Sequence, residues 1–177
     1  MRTGLLALLL SIMISLPAWA SQEEQVKQQI ERLATELEAK YQGKGKVKVA
    51  ILQFRTSDNR LTPFNQYLQD ELNRIYGSSE RFEVIDQNAV NQVLVDFKWS
   101  LDMSSDFRQY SNLSESIFLA VREIPEVFIY GHIDDKGDKV RLICYLVPNG
   151  LTSTNLYSSQ DFSASEFTNR LLGKPHR

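Results

Sequence analysis

Residues 126–147 read Glu-Val-Phe-Ile-Tyr-Gly-His-Ile, then Asp-Asp-Lys-Gly-Asp-Lys, then Val-Arg-Leu-Ile-Cys-Tyr-Leu-Val. Two β-branched, apolar and aromatic runs flank a short polar loop that contains Gly137. The pleated backbone favours such side chains. A glycine supplies the positive φ that a turn of about three to five residues needs. The stretch predicts a β-hairpin on which the core condenses. In its first strand Val127, Ile129 and Ile133 share one face with Gly131, while Phe128, Tyr130 and His132 share the other. Both faces are largely apolar, so this strand is expected in the middle of the sheet.

Upstream, Val47 to Phe54 begins alternating and becomes continuously apolar, as a central strand does. Thr62-Pro63 starts a helix, with Phe64, Leu68, Leu72 and Ile75 as its buried stripe and Gly77 at its end. Arg81 to Ile85 is a short strand. Asp86 caps a helix from Gln87 to about Trp99. Strand, helix and strand form a βαβ unit with parallel strands. Residues 100–112 lack periodicity. They read either as a loop pinned by a few anchors or as a partner-binding surface. Met103, Phe107 and Tyr110, with Trp99 just before them, are the candidate partner-binding residues. Leu113 to Ile124 reads as a short helix that Pro125 breaks.

After the hairpin, Pro148-Asn149-Gly150 signals a turn. Residues 152–160 suit an edge strand around Leu156 and Tyr157, where polarity guards against pairing. Ser163 or Ser165 caps a last helix. At the other end, Ser21 to about Tyr41 is an amphipathic helix with Val26, Ile30, Leu33 and Leu37 in one stripe, and Ser21 and Glu24 at capping-box spacing. The expected class is α/β: a mixed sheet of about five strands with helices packed on it, in the order α-β-α-β-α-α-β-β-β-α.

Residues 1–20 read as a secretory signal. Arg2 gives a positive start, Leu5 to Leu16 an apolar run, Pro17 a break, and Ala18-Trp19-Ala20 a small-x-small cleavage pattern. An uncleaved anchor is the alternative. No cysteine follows the run to take a lipid. The expected organisation is signal peptide 1–20, one α/β domain 21–172 and a tail 173–177. The periplasm, free or associated with the outer membrane, is the expected compartment.

The chain has 20 basic and 22 acidic residues. Removing residues 1–20 takes away only Arg2, so the exported part is slightly more acidic. That disfavours nucleic acid, which needs concentrated Lys and Arg. The single cysteine, Cys144, sits mid-strand and reads as a buried inert thiol. Of the two histidines, His176 lies in the tail, and His132 reads as a structural imidazole rather than a base. No zinc, P-loop or nucleophile-elbow spacing is present. Asp134, Asp135 and Asp138 read as a solvated turn. No catalytic residue, metal or cofactor is expected.

Four blocks carry a family resemblance. They are Gly-Lys-Val-Lys-Val-Ala-Ile-Leu-Gln-Phe (45–54), Leu-Thr-Pro-Phe-Asn-Gln-Tyr-Leu-Gln-Asp-Glu-Leu (61–72), Arg-Phe-Glu-Val-Ile-Asp-Gln-Asn-Ala-Val-Asn-Gln-Val-Leu (81–94), and the hairpin strands 127–133 and 140–147. In this order they resemble the bacterial FlgO-domain family, within the wider group of CsgG-like and TolB N-terminal-like domains. The resemblance implies an exported α/β domain without catalysis that serves envelope assemblies such as flagellar outer-membrane structures. It supplies no catalytic residue. The expected function is that of a non-enzymatic envelope accessory protein that binds an envelope or flagellar partner, or itself. A related variant activates a cell-wall synthase. The alternative is a periplasmic small-ligand or glycan binding module, which exposed Trp99, Tyr110 and Tyr157 in one cleft would mark. An enzyme is the remaining class, which a buried carboxylate of raised pKa near His132 would mark.

Overall fold

Alternating apolar positions decide which side of the sheet each strand residue joins. The computed structural model describes residues 18–149 and 156–174, without the side chains of 18–20 and Phe107. The apolar run of the expected signal peptide and the end of the tail lie outside these residues. In chain order the elements are α1 (Ala18–Lys40), β1 (Val47–Ile51), β2 (Arg55–Thr56), α2 (Pro63–Gly77), β3 (Phe82–Val84) and α3 (Gln87–Asp96). A 3₁₀ turn (Leu101–Ser105) follows, then α4 (Phe107–Val121), β4 (Val127–Asp135), β5 (Lys139–Pro148), β6 (Leu156–Ser163) and α5 (Glu166–Leu171).

The sheet runs β3-β1-β4-β5-β6, with the two-residue β2 also paired to β4. β3 and β4 are parallel to β1, and the β4-β5-β6 ladders are antiparallel. The first hairpin strand is central and the polar strand is at the edge, as the sequence predicts. Gly137 sits at φ +88° in the turn between β4 and β5.

One core fills the face under α1, α2 and α5. Val26, Ile30, Leu33 and Leu37 of α1 meet Phe64, Leu68 and Leu72 of α2 over Val49, Ile51, Ile129, Leu142 and Cys144. Each such fully buried aliphatic side chain contributes roughly 1.5–3 kcal/mol. Burial also raises the Cys144 thiol far above its ordinary pKa, which keeps it inert. A second core lies on the opposite face. There Val90 and Leu94 of α3 and Leu113 and Ile117 of α4 cover Ala50, Leu52, Phe128, Tyr130 and Val147.

The structure departs from the sequence reading at several places. The helix expected to reach about Trp99 ends at Asp96, and the edge strand expected over 152–160 runs Leu156–Ser163, with 152–155 outside the described residues. The helix expected from Ser21 is already formed at Ala18, where the described residues begin, so Ser21 lies inside it and does not cap it. The strand expected to reach Phe54 ends at Ile51, and Arg55–Thr56 pairs separately with His132–Ile133 as a sixth strand. The segment 100–112 is not a loop. It is a 3₁₀ turn followed by α4, whose start is capped by Asp106 accepting from Arg108 N at 3.0 Å. That cap belongs to the Asp and Asn class of helix starters, seven residues before Leu113, where the sequence reading begins the helix. Finally, α4 ends at Val121, where Arg122 takes the left-handed conformation at φ 62°.

Candidate protein-binding face

The two faces of the sheet are not equally covered. α1 crosses β6 on one face, where the Ser158 hydroxyl and Gln160 Nε2 (3.0 Å) both donate to the Glu36 carboxylate. On the other face, the described helices α3 and α4 shield β1 and the start of β4. Beyond them the residues of β4, β5 and β6 emerge into solvent. His132, Ile143 and Tyr145 are half-buried, and Arg141, Ser159 and Asp161 are exposed. Tyr157 is 59% exposed.

An aromatic chain links the covered region to the open one. Trp99 and Tyr110 have ring centroids 5.6 Å apart, and Tyr110 and Tyr130 6.1 Å. Tyr130 stacks on Tyr145 at 5.0 Å, and Tyr145 meets Tyr157 at 6.2 Å. The last three are register partners on adjacent strands, so the pleat itself lines them up. His132 stacks beside Tyr145 at 6.0 Å. Burial lowers the His132 pKa, opposed by the Asp134 charge, so the imidazole is neutral at neutral pH.

The polar rim is internally matched. Arg141 donates twice to its register partner Asp161, at 2.7 and 2.9 Å. This hydrogen bonding holds the Asp161 carboxyl below its usual range and raises Arg141. Asp134 accepts from the Ser57 hydroxyl, which lowers it too. A buried carboxylate of raised pKa beside His132, the mark of an enzyme, is therefore not what Asp134 provides. At the outer edge, Lys40 donates to the Tyr157 carbonyl (2.6 Å) and lies over the Tyr157 ring at 5.6 Å.

A second concavity lies around the edge of β6. A groove of about 400 Å³ runs between the first turns of α1 and the end of β6, with Gln22, Gln25 and Gln29 opposite Asp161 and Ser163. Val26 and Phe162 supply its apolar part.

The candidate residues from the sequence fall elsewhere. Trp99 and Tyr110 are each only 2% exposed and anchor the second core. Tyr110 Oη donates to Ser104 O at 3.0 Å and pins the 3₁₀ turn. Met103 packs half-buried against the same core. Phe107 opens α4, and its side chain is outside the described residues. Trp99, Tyr110 and Tyr157 thus form no common exposed cleft, the feature that would mark a glycan binder. The sequence points to Tyr157 only as a member of a cleft with Trp99 and Tyr110, and Tyr145 reads as an ordinary strand aromatic, so the open face itself is not indicated. The available signal was a β6 too polar to need cover, following a strand, β5, whose outer face carries Ile143 and Tyr145.

The sequence matches no family model, and it matches no curated protein. Solved structures do share its fold. The fold resembles that of LpoB C-terminal domains. Against the domain from Salmonella enterica the TM-score is 0.53 at 10% identity, covering 76% of this chain and 96% of that one. Against the Escherichia coli domain it is 0.52 at 10% identity, covering 85% and 100%. The E. coli LpoB structure solved by NMR gives 0.52, with 66% of that chain covered.

Proposed function

We propose that this chain is an exported envelope accessory protein that acts by protein–protein contact and not by catalysis. The observation that carries the reading is the uncovered half-sheet. Tyr145, Tyr157 and Ile143 form a contiguous apolar and aromatic strip, while Arg141 and Asp161 neutralise each other at its rim. Aromatic strips with a polar rim suit protein partners, whereas small ligands prefer deep concave pockets. The fold shared with LpoB C-terminal domains supports an envelope setting, as do the signal-like residues 1–20.

Two finer forms of this reading differ only in the partner. The FlgO-family resemblance favours a flagellar or outer-membrane assembly. The LpoB-like fold favours regulation of a cell-wall synthase. In both, the domain 21–172 works in the periplasm, free or associated with the outer membrane.

Replacing Tyr157 with a photo-crosslinking phenylalanine analogue in living cells tests the proposal. A single envelope protein should be captured from position 157. Position 119 on α4, where Leu119 is 62% exposed, should capture none. Recovery of uncrosslinked protein from both positions would remove the face from consideration. The identity of the captured protein separates flagellar components from a cell-wall enzyme.

A further inference from the structure

β6 ends the sheet, and the hydrogen-bond alternation shows which of its residues face outward. Ala164 N donates to Asp138 O at 2.8 Å, which makes residues 138 and 164 a hydrogen-bonded pair. In an antiparallel ladder such pairs alternate. Phe162, Gln160 and Ser158 therefore bond to β5, and Ser163, Asp161, Ser159 and Tyr157 present their N–H and C=O groups to the outside. Lys40 confirms the parity, because it takes the outward carbonyl of Tyr157. That lysine closes one end of the edge, a common guard against stray pairing. The other end, Ser159 to Ser163, has no such guard among the described residues, and it opens into the α1 groove.

The groove is built for backbone. Its helical wall shows amide side chains spaced at 22, 25 and 29, one stripe of α1. Gln22 Oε1 already accepts from a backbone amide, Phe167 N at 3.2 Å. Gln29 is half-buried, and neither Gln25 nor Gln29 has a hydrogen-bond partner among the described residues. A carboxamide offers both a donor and an acceptor, as a peptide group requires. Between the amides lie Val26 and Phe162, room for one apolar side chain.

We infer that the Ser159–Ser163 edge, roofed by Gln25 and Gln29, takes an extended segment of a partner protein as an added strand. This names the mode of contact within the proposed function and rests on it. The segment is uncharged at its centre, because Arg141 and Asp161 already satisfy each other, and it carries one apolar residue toward Val26 and Phe162. A second copy is a poorer occupant. Pairing β6 with its equal would set two α1 helices side by side, glutamine against glutamine.

The test selects random decapeptides displayed on phage against the purified protein, then measures synthetic versions of the winners. The amides of Ser159, Asp161 and Ser163 should become protected from hydrogen exchange when peptide binds, and those of Ser158 and Gln160 should not change. Ser159→Pro removes an outward N–H and no β5 hydrogen bond, so it should weaken binding at least ~tenfold, and Gln29→Ala severalfold. N-methylation of alternate peptide amides leaves the protein untouched: one register should lose binding and the other keep it. Equal binding to Ser159→Pro, indifference to N-methylation, or no selected peptide overturns the inference. So does a peptide-free dimer that Ser159→Pro converts to monomer. Capture at position 157 without peptide binding would remove the edge mode and leave the open face standing.

Discussion

Tyr130 and Tyr145 stack with their ring planes 15° apart, at the line where the sheet passes from beneath α4 into the open. Tyr130 is 5% exposed, whereas Tyr157, one strand beyond Tyr145, is 59% exposed. One aromatic row thus serves packing at one end and remains available at the other. Tyr145→Ala should destabilise the fold by about 1–3 kcal/mol, because it removes a half-buried ring between two aromatic neighbours. Tyr157→Ala should change stability by less than about 0.5–1 kcal/mol and reduce partner capture. Urea unfolding of both variants measures the contrast, and equal losses would show that Tyr157 is structural.

Gly131 occupies a position that no side chain can share. It lies on the α1–α2 face of β4, and a Cβ there would strike the Ile143 carbonyl oxygen and the Phe54 ring. The ring could turn aside, but the oxygen belongs to the paired strand. Gly131→Ala should therefore cost at least about 1–3 kcal/mol, and trimming Phe54 to Leu should not restore it. A thermal midpoint for Gly131→Ala equal to that of the parent would show that the β4–β5 backbones yield.

Strand residues were the legible part of this chain. In the hairpin, two-residue periodicity assigned Ile129 to one core and Phe128 to the other without any tertiary information. The caps at Asp86 and Ser165 were equally readable, since each is a short polar residue just before a helix. The segment 100–112 failed because its ordering force is tertiary. Tyr110 is held by Ser104 O and by the Trp99 and Phe128 rings, and none of these partners is implied by local spacing. The open face was illegible for a related reason. Whether Tyr145 is covered depends on where α4 ends relative to β5, and helix placement over a sheet leaves no periodic trace in sequence.

His132 should make stability depend on pH near neutrality. Burial holds its folded-state pKa below the ordinary 6.5, while the nearby Asp134 charge partly restores it. The unfolded chain therefore binds a proton that the folded chain resists, and stability falls as pH drops below about 6.5. The imidazole is only half-buried, so the loss is modest. His132→Gln should flatten the slope of unfolding free energy between about pH 5 and 7. A His132 titration midpoint at or above 6.5 by NMR would contradict the assignment.

At the alkaline end Tyr76 is one of several buried or half-buried tyrosines that matter. Its ring is fully buried, and its hydroxyl donates to Ala34 O at 3.1 Å, tying α2 to α1. Desolvation pushes its pKa well above 10.0, and Tyr110 and Tyr145 shift the same way through burial. These groups keep their protons in the folded state after the unfolded chain has lost them. Their contribution is complete below about pH 10 and disappears as pH rises beyond it. Tyr76→Phe deletes one titrating group but also the bond to Ala34. It should cost about 1 kcal/mol at neutral pH, because the Ala34 carbonyl lies within α1, keeps its helical hydrogen bond and loses only the one from Tyr76. Above about pH 10 the same variant should lose stability less steeply than the parent, so the two curves converge. Parallel curves would mean that Tyr76 ionises as freely in the folded protein as in the unfolded chain, and that α1 and α2 part locally before the rest of the structure.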